Sequence, residues 1–222
     1  MSYFRSDLKI TAIGNSGTGK TSFVNRWARN IFLDNYKSTI VSEFGFKIFE
    51  NEGKLYRIQL WDLAGQDRNQ IVTKIFAKDS HGCVVISDAT ILKQEKSNHY
   101  LIINYFSSVK WKSAVDETAS FLDGGKIPCL LVENKIDLVE DSKKYDPDFE
   151  SFAQKNGFCG CFRTSAKTGE NISESMEFLI KNIIYRMEDM SQKENKIFTN
   201  DKFSLIMTKP INNVLSGKFI KF

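Results

Sequence analysis

Gly14-Asn15-Ser16-Gly17-Thr18-Gly19-Lys20-Thr21 fits the pattern G-x-x-x-x-G-K-[S/T] without a gap. Its flanks supply the context that the pattern needs. Before it, Leu8-Lys9-Ile10-Thr11-Ala12-Ile13 reads as a largely apolar strand; after it, residues 22–29 read as a helix. Glycines let the backbone curl so that successive N–H groups point into one concavity, and the helix N-terminus adds the positive end of its dipole. A loop of this kind cradles phosphates. Ser16, Gly17, Thr18, Gly19 and Ser22 line it, Lys20 reaches the β- and γ-phosphates, and the Thr21 hydroxyl sits on Mg²⁺. A plain Gly-rich turn before a helix is the alternative on the motif alone, and the rest of the chain weighs against it.

Strand and helix signals alternate downstream. Residues 43–50 and 54–61 read as two strands joined at Asn51-Glu52-Gly53, a hairpin signal. Asp62-Leu63-Ala64-Gly65-Gln66-Asp67 follows, then a short helical stretch to about residue 77. Gly82-Cys83-Val84-Val85-Ile86-Ser87-Asp88 and Pro128-Cys129-Leu130-Leu131-Val132-Glu133 are buried-strand runs, with a helix predicted between them at 98–121. A helix at 147–156 leads to a strand at 158–163. Residues 172–187 then place Ile172, Met176, Leu179, Ile180 and Ile183 on one helical face. This order predicts an α/β fold with a mostly parallel six-stranded sheet, helices on both faces and ligands at the strands' carboxyl ends.

Composition narrows the class. The 222 residues are 41% hydrophobic and 26% charged, as expected for one globular domain with an appendage. There is no run of 18 apolar residues and no signal-peptide core, so a cytoplasmic protein is expected. Cys83, Cys129, Cys159 and Cys161 lack paired metal-ligand spacing and are expected as reduced thiols. The net charge of +4 resides in residues 191–222, where six lysines face Glu194 and Asp201. The body is therefore neutral, which argues against nucleic-acid binding.

Further candidates fall at strand ends. Thr39 lies in a loop 19 residues after Lys20 and offers a second hydroxyl to Mg²⁺, and Asp62 ends an apolar strand as a carboxylate near the metal. Asn134-Lys135-Ile136-Asp137 and Thr164-Ser165-Ala166-Lys167 each follow a strand. In order and spacing these stretches resemble the Ras superfamily of small GTPases, over roughly residues 7–190. The resemblance implies GTP and GDP as ligands with Mg²⁺ as cofactor. Asp137 would accept hydrogen bonds from the guanine N1–H and exocyclic amine, a pair that adenine lacks. Asn134 and Lys135 would brace the base and the phosphate loop, and the Ala166 N–H would face the guanine carbonyl. Ser165 and Lys167 complete that loop, Phe32 would cover the base edge, and Tyr36 would join the contacts. Gly65 would donate to the γ-phosphate and Gln66 would orient the attacking water, making Gln66, Lys20 and Gly65 the catalytic set. No arginine stands between Ile31 and Glu43, so slow turnover is expected, with an activating protein supplying an arginine and an exchange factor renewing the nucleotide.

Within the superfamily the chain most resembles the Rab branch, through Ser16, Tyr36 to Ile40, Arg57-Ile58-Gln59-Leu60-Trp61-Asp62, and the aromatic set Phe44, Trp61 and Phe76 that would form an effector face. Gly157-Phe158-Cys159-Gly160-Cys161-Phe162 is similar to Rabs of lysosome-related organelles. The chain departs from the branch at Val41-Ser42-Glu43-Phe44, at Asp67-Arg68-Asn69, at Phe76-Ala77-Lys78 and in an insertion at about 91–101. Rabs end in prenylated cysteines, whereas the last cysteine here is Cys161; no lipid anchor is expected, only weak peripheral membrane contact through the lysines. The domain is thus expected at 1–190, with a basic, partly apolar tail at 191–222 that is either a loose linker or a docking segment, Phe203-Ser204-Leu205-Ile206-Met207 being the candidate strand or clamp. Two functions stay open: a switch in vesicle and membrane traffic that slowly hydrolyses GTP, or a nucleotide-loaded structural subunit of a cytosolic or cytoskeletal assembly docked through the tail. An ATP-using kinase is disfavoured by Asn134-Lys135-Ile136-Asp137.

Overall fold

The computed structural model describes residues 4–34, 43–63, 75–93, 99–140 and 147–207. The chain divides into two compact units, Met1–Ile184 and Tyr185–Phe222. In the first, six strands form one sheet: β1 (Phe4–Ile13), β2 (Glu43–Asn51), β3 (Lys54–Asp62), β4 (Gly82–Asp88), β5 (Cys129–Asn134) and β6 (Gly160–Arg163). Their order is β2-β3-β1-β4-β5-β6. All pairings are parallel except β2 with β3, which the hairpin makes antiparallel. Glu52 and Gly53 turn that hairpin with φ of 50° and 74°, the left-handed pair that matches strand twist.

Among the described residues, four longer helices complete the order: α1 (Lys20–Arg29), α2 (His99–Asp116), α3 (Pro147–Lys155) and α4 (Ile172–Met207). Residues 75–77 are also helical, where the short stretch ending near residue 77 is expected. β4 and β5 are buried at every residue, as central strands covered on both faces require. α1 buries Phe23, Val24 and Trp27, and α4 buries Ile172, Met176, Leu179, Ile180 and Ile183. Each such side chain withdrawn from water stabilises the fold by about 1.5–3 kcal/mol. The four cysteines are free thiols. Burial pushes the Cys159 thiol up to about 12 and that of Cys161 to about 11, so both stay protonated at neutral pH.

The elements differ from the sequence-based bounds in several places: β1 starts at Phe4 in place of residue 8, and three other shifts have a clear local cause. α2 stops at Asp116, short of residue 121. There the Thr118 hydroxyl turns back onto the Ala114 carbonyl at 2.8 Å and Ser120 bridges to Lys126 around Gly124. β6 begins at Gly160, two residues late, because the Phe158 N–H caps α3 at the Ala153 carbonyl. α4 continues to Met207 in place of ending at 187. No glycine or proline interrupts it before Pro210, so Phe203 to Met207 is helical and not a strand. In the insertion, Ala89–Lys93 forms a 3-10 turn and residues 94–98 lie outside the described residues. No helix among the described residues is long and apolar enough to cross a membrane.

Candidate functional site

The loop after β1 is shaped by two glycines that tolerate no substitute. Gly14 has φ 143°, and a Cβ there would lie 2.1 Å from the Ile86 carbonyl oxygen; Gly19 has φ 87°, and its Cβ would lie 2.5 Å from Asn134 Nδ2. Both need left-handed backbone and a neighbour closer than any side chain allows. Between them Ser16 and Gly17 are exposed at the crest, while the Thr18 hydroxyl donates to the Asn15 carbonyl at 3.1 Å. α1 starts directly afterwards, its first-turn N–H groups directed into the loop. Lys20 is buried, and its ammonium donates to the Gly14 and Asn15 carbonyls at 2.9 and 2.7 Å. One residue on, the Thr21 hydroxyl donates to Asp62 Oδ2 at 2.6 Å, with Asp62 buried at the end of β3. Ser22 follows, half-buried on α1.

A hydroxyl and a carboxylate held together at the mouth of an anion-binding loop form a hard, all-oxygen donor set. That chemistry fits Mg²⁺, which takes few protein oxygens and completes its shell with water and phosphate. Thr21 and Asp62 are the described residues able to hold it. Thr39, the third expected ligand, lies outside the described residues, as do Tyr36, Gly65 and Gln66.

The loops after β5 and β6 meet this loop through Asn134. Its Nδ2 donates to the Thr18 carbonyl at 3.0 Å, and its Oδ1 accepts from the Ala166 N–H at 3.0 Å and the Thr164 hydroxyl at 3.3 Å. The Ala166 N–H, expected to face a base carbonyl, is thus engaged by Asn134. Asp137 accepts from the Ser165 hydroxyl at 2.6 Å, and Ser165 Oγ accepts from the Thr168 N–H at 3.0 Å. Lys135 adopts φ 70° and its ammonium reaches Asp88 Oδ2 at 2.6 Å. Lys167 is exposed, but its carbonyl accepts from Arg26 at 2.7 Å. Phe32 is half-buried just past α1.

Several holders of these loops escape a reading of the sequence. Arg26, inside α1, spreads its guanidinium over the carbonyls of Ala166, Lys167 and Asn30 at 2.8, 2.7 and 3.1 Å. Trp111, on α2, donates its indole N–H to Asn15 Oδ1 at 2.6 Å. Asp88 closes β4 and receives both Lys135 and the Thr90 hydroxyl. Only Asp88 had a signal, a carboxylate at the end of an apolar strand run. On the opposite side of the site, Phe44 stacks on Trp61 with ring centres 5.0 Å apart, and Trp61 meets Phe76 at 6.1 Å. Phe44 remains 47% exposed, enough to leave this aromatic set open to contact.

Comparisons with known proteins agree with this geometry. Residues 9–185 match the model of the Ras family. The chain is similar to the Ras-related protein Rab-32 of Homo sapiens, 33% identical over 198 residues that span 89% of this chain and 82% of that protein. It is similar to Rab-7L1 of Homo sapiens, 33% identical over 177 residues, 79% of this chain and 82% of the relative. Rab-32A of Dictyostelium discoideum is 36% identical over 179 residues, covering 79% and 77%.

Proposed function

The chain belongs to the Ras family as a Rab-like small GTPase, and from that premise we propose that it is a guanine-nucleotide switch that hydrolyses GTP slowly and regulates membrane traffic through effectors. The observation that carries the reading is Asn134, whose one amide joins the phosphate loop at Thr18 to the 164–167 loop at Ala166. Phosphates and base would then be read by one connected body.

In this reading the phosphates sit against the N–H groups at the start of α1, and Lys20 exchanges the Gly14 and Asn15 carbonyls for β- and γ-phosphate oxygens. Asp137 pairs with the guanine N1–H and exocyclic amine, helped by Ser165, which already holds its carboxylate. Adenine would leave that carboxylate unmatched, a strong ground for rejection. Thr21, Asp62 and Thr39 hold Mg²⁺, which when bound neutralises charge on the phosphates. Gly65 fixes the γ-phosphate and Gln66 aligns the water. The residues between Ile31 and Glu43 include no arginine, so the charge that develops on the transferring group waits for a partner's arginine. An exchange factor would replace GDP, and effectors would read Phe44, Trp61 and Phe76 as the loops around Thr39 and Gln66 order and release.

The test is to load the protein with labelled GTP and Mg²⁺ and follow hydrolysis and exchange over hours. Turnover far below about one per second is expected, with Gln66→Leu slower still at unchanged GTP affinity. Rapid turnover without any partner would contradict the switch as stated. Nucleotide that neither turns over nor exchanges would favour a structural subunit.

A further inference from the structure

Glu133 and Arg163 are the last β5 residue before Asn134 and the last residue of β6, and they stand opposite each other in the sheet register. The Glu133 carboxylate is fully buried and the Arg163 side chain is 14% exposed. Both Arg163 Nε and Nη2 approach the same carboxylate oxygen, Oε2, at 2.8 Å. The guanidinium also lies over the Phe149 ring of α3, 5.6 Å from its centre, and the Arg163 carbonyl accepts from Asn171 Nδ2 at 2.8 Å. A carboxylate removed from water in this way holds its cation tightly, because either charge alone would be left uncompensated in the interior.

The placement gives the pair its meaning. One residue beyond Glu133 begins the 134–137 loop; one residue beyond Arg163 begins the 164–167 loop. β6 has four residues, none of them fully buried, and it pairs with the sheet along β5 alone. A strand of four residues makes few ladder bonds, and apart from those its height against β5 is set by side chains: Phe162 meets Phe178 of α4 at 5.5 Å, and Arg163 meets Glu133. The ion pair supplies a rigid side-chain link where the two loops depart, followed by the Thr164 N–H to Glu133 carbonyl bond at 2.7 Å and the Ile136 N–H to Thr164 carbonyl bond at 3.2 Å.

We infer that the buried Glu133–Arg163 pair is a positioning brace that sets Asp137 against Ser165 and Ala166, and thereby how strictly the pocket reads the exocyclic amine of guanine. The inference rests on the guanine reading proposed above. Asp137 approaches the base from the β5 side and the 164–167 loop approaches from the β6 side, so a slip between the strands separates the two halves of the recognition.

Inosine diphosphate keeps the N1–H and carbonyl of guanine but lacks the exocyclic amine, so GDP and inosine diphosphate titrated against the full chain probe this geometry. The wild-type protein is expected to prefer GDP. The double variant Glu133→Met/Arg163→Met removes both charges together and so strands neither; it is expected to melt near wild type while its GDP preference drops about tenfold, the worth of one hydrogen bond to a carboxylate. Arg163→Lys keeps the charge but replaces the fork with a single ammonium. It is expected to lose part of the preference, and it decides the matter if the double variant does not fold. An unchanged GDP preference, or equal weakening of both nucleotides, would overturn the brace and leave the guanine reading standing. A wild-type chain that binds neither nucleotide would overturn both.

Discussion

At the phosphate loop the chain is shaped mainly by residues of the loop itself, with Trp111 and Asn134 added from afar, whereas at the 134–137 and 164–167 loops side chains from distant elements do most of the holding. Gly14 and Gly19 curl the first loop, and Lys20 closes it onto the carbonyls of Gly14 and Asn15, all within seven positions of sequence. The other end depends on Arg26 from α1, Asn134 from β5 and Ser165 on Asp137, linking residues 28 to 141 positions apart. Local backbone geometry makes a site for any phosphate. Selection of a base needs side-chain atoms fixed in relation to one another, and that is a property of the assembled sheet.

The comparison can be broken at either end. Lys20→Ala removes the ammonium at the phosphate end, and GDP affinity measured by calorimetry should drop at least about a hundredfold, as the loss of charge-assisted hydrogen bonds implies. Gly14→Ala drives a methyl group into the Ile86 carbonyl at a left-handed φ. It should cost about 3 kcal/mol and lower the melting temperature by roughly 6–12 °C, with or without nucleotide. Arg26→Lys keeps a charge but cannot span the carbonyls of Ala166 and Lys167. Stopped-flow displacement should show GDP leaving roughly fivefold faster, with the melting temperature little changed. Trp111→Phe, which removes only the N–H on Asn15 and keeps an aromatic ring, is the mildest. A loss of about 1 kcal/mol in urea unfolding is expected, and an equal loss in an Asn15→Leu background would show that the hydrogen bond is not its source.

The same contrast explains what the sequence makes legible. The phosphate loop is contiguous, so its residues declare themselves by spacing, and the strand order follows from apolar runs punctuated by turns. Asp62 and Thr21 are 41 positions apart, yet each stands at a strand end or helix start where a parallel sheet gathers its ligands. Arg26 carries no such mark: inside an amphipathic helix it reads as a solvated cation. Glu133 and Arg163 lie at the carboxyl ends of β5 and β6, and their pairing appears only once the two strands are in register. Trp111 reads as core until its N–H meets Asn15, 96 positions away. The long run of α4 to Met207 is hidden for another reason: the apolar periodicity fades after Ile184, while the absence of glycine and proline permits the helix to continue.

The central claim is that these two ends form one guanine-nucleotide pocket. The most direct test is calorimetric titration of nucleotide-free protein with GDP and with ADP in Mg²⁺, repeated on Asp137→Ala. The account predicts tight GDP binding, ADP weaker by about 10⁴-fold or more, and loss of GDP binding in the variant. ADP bound as tightly as GDP, or an Asp137→Ala protein with wild-type GDP affinity, would contradict it.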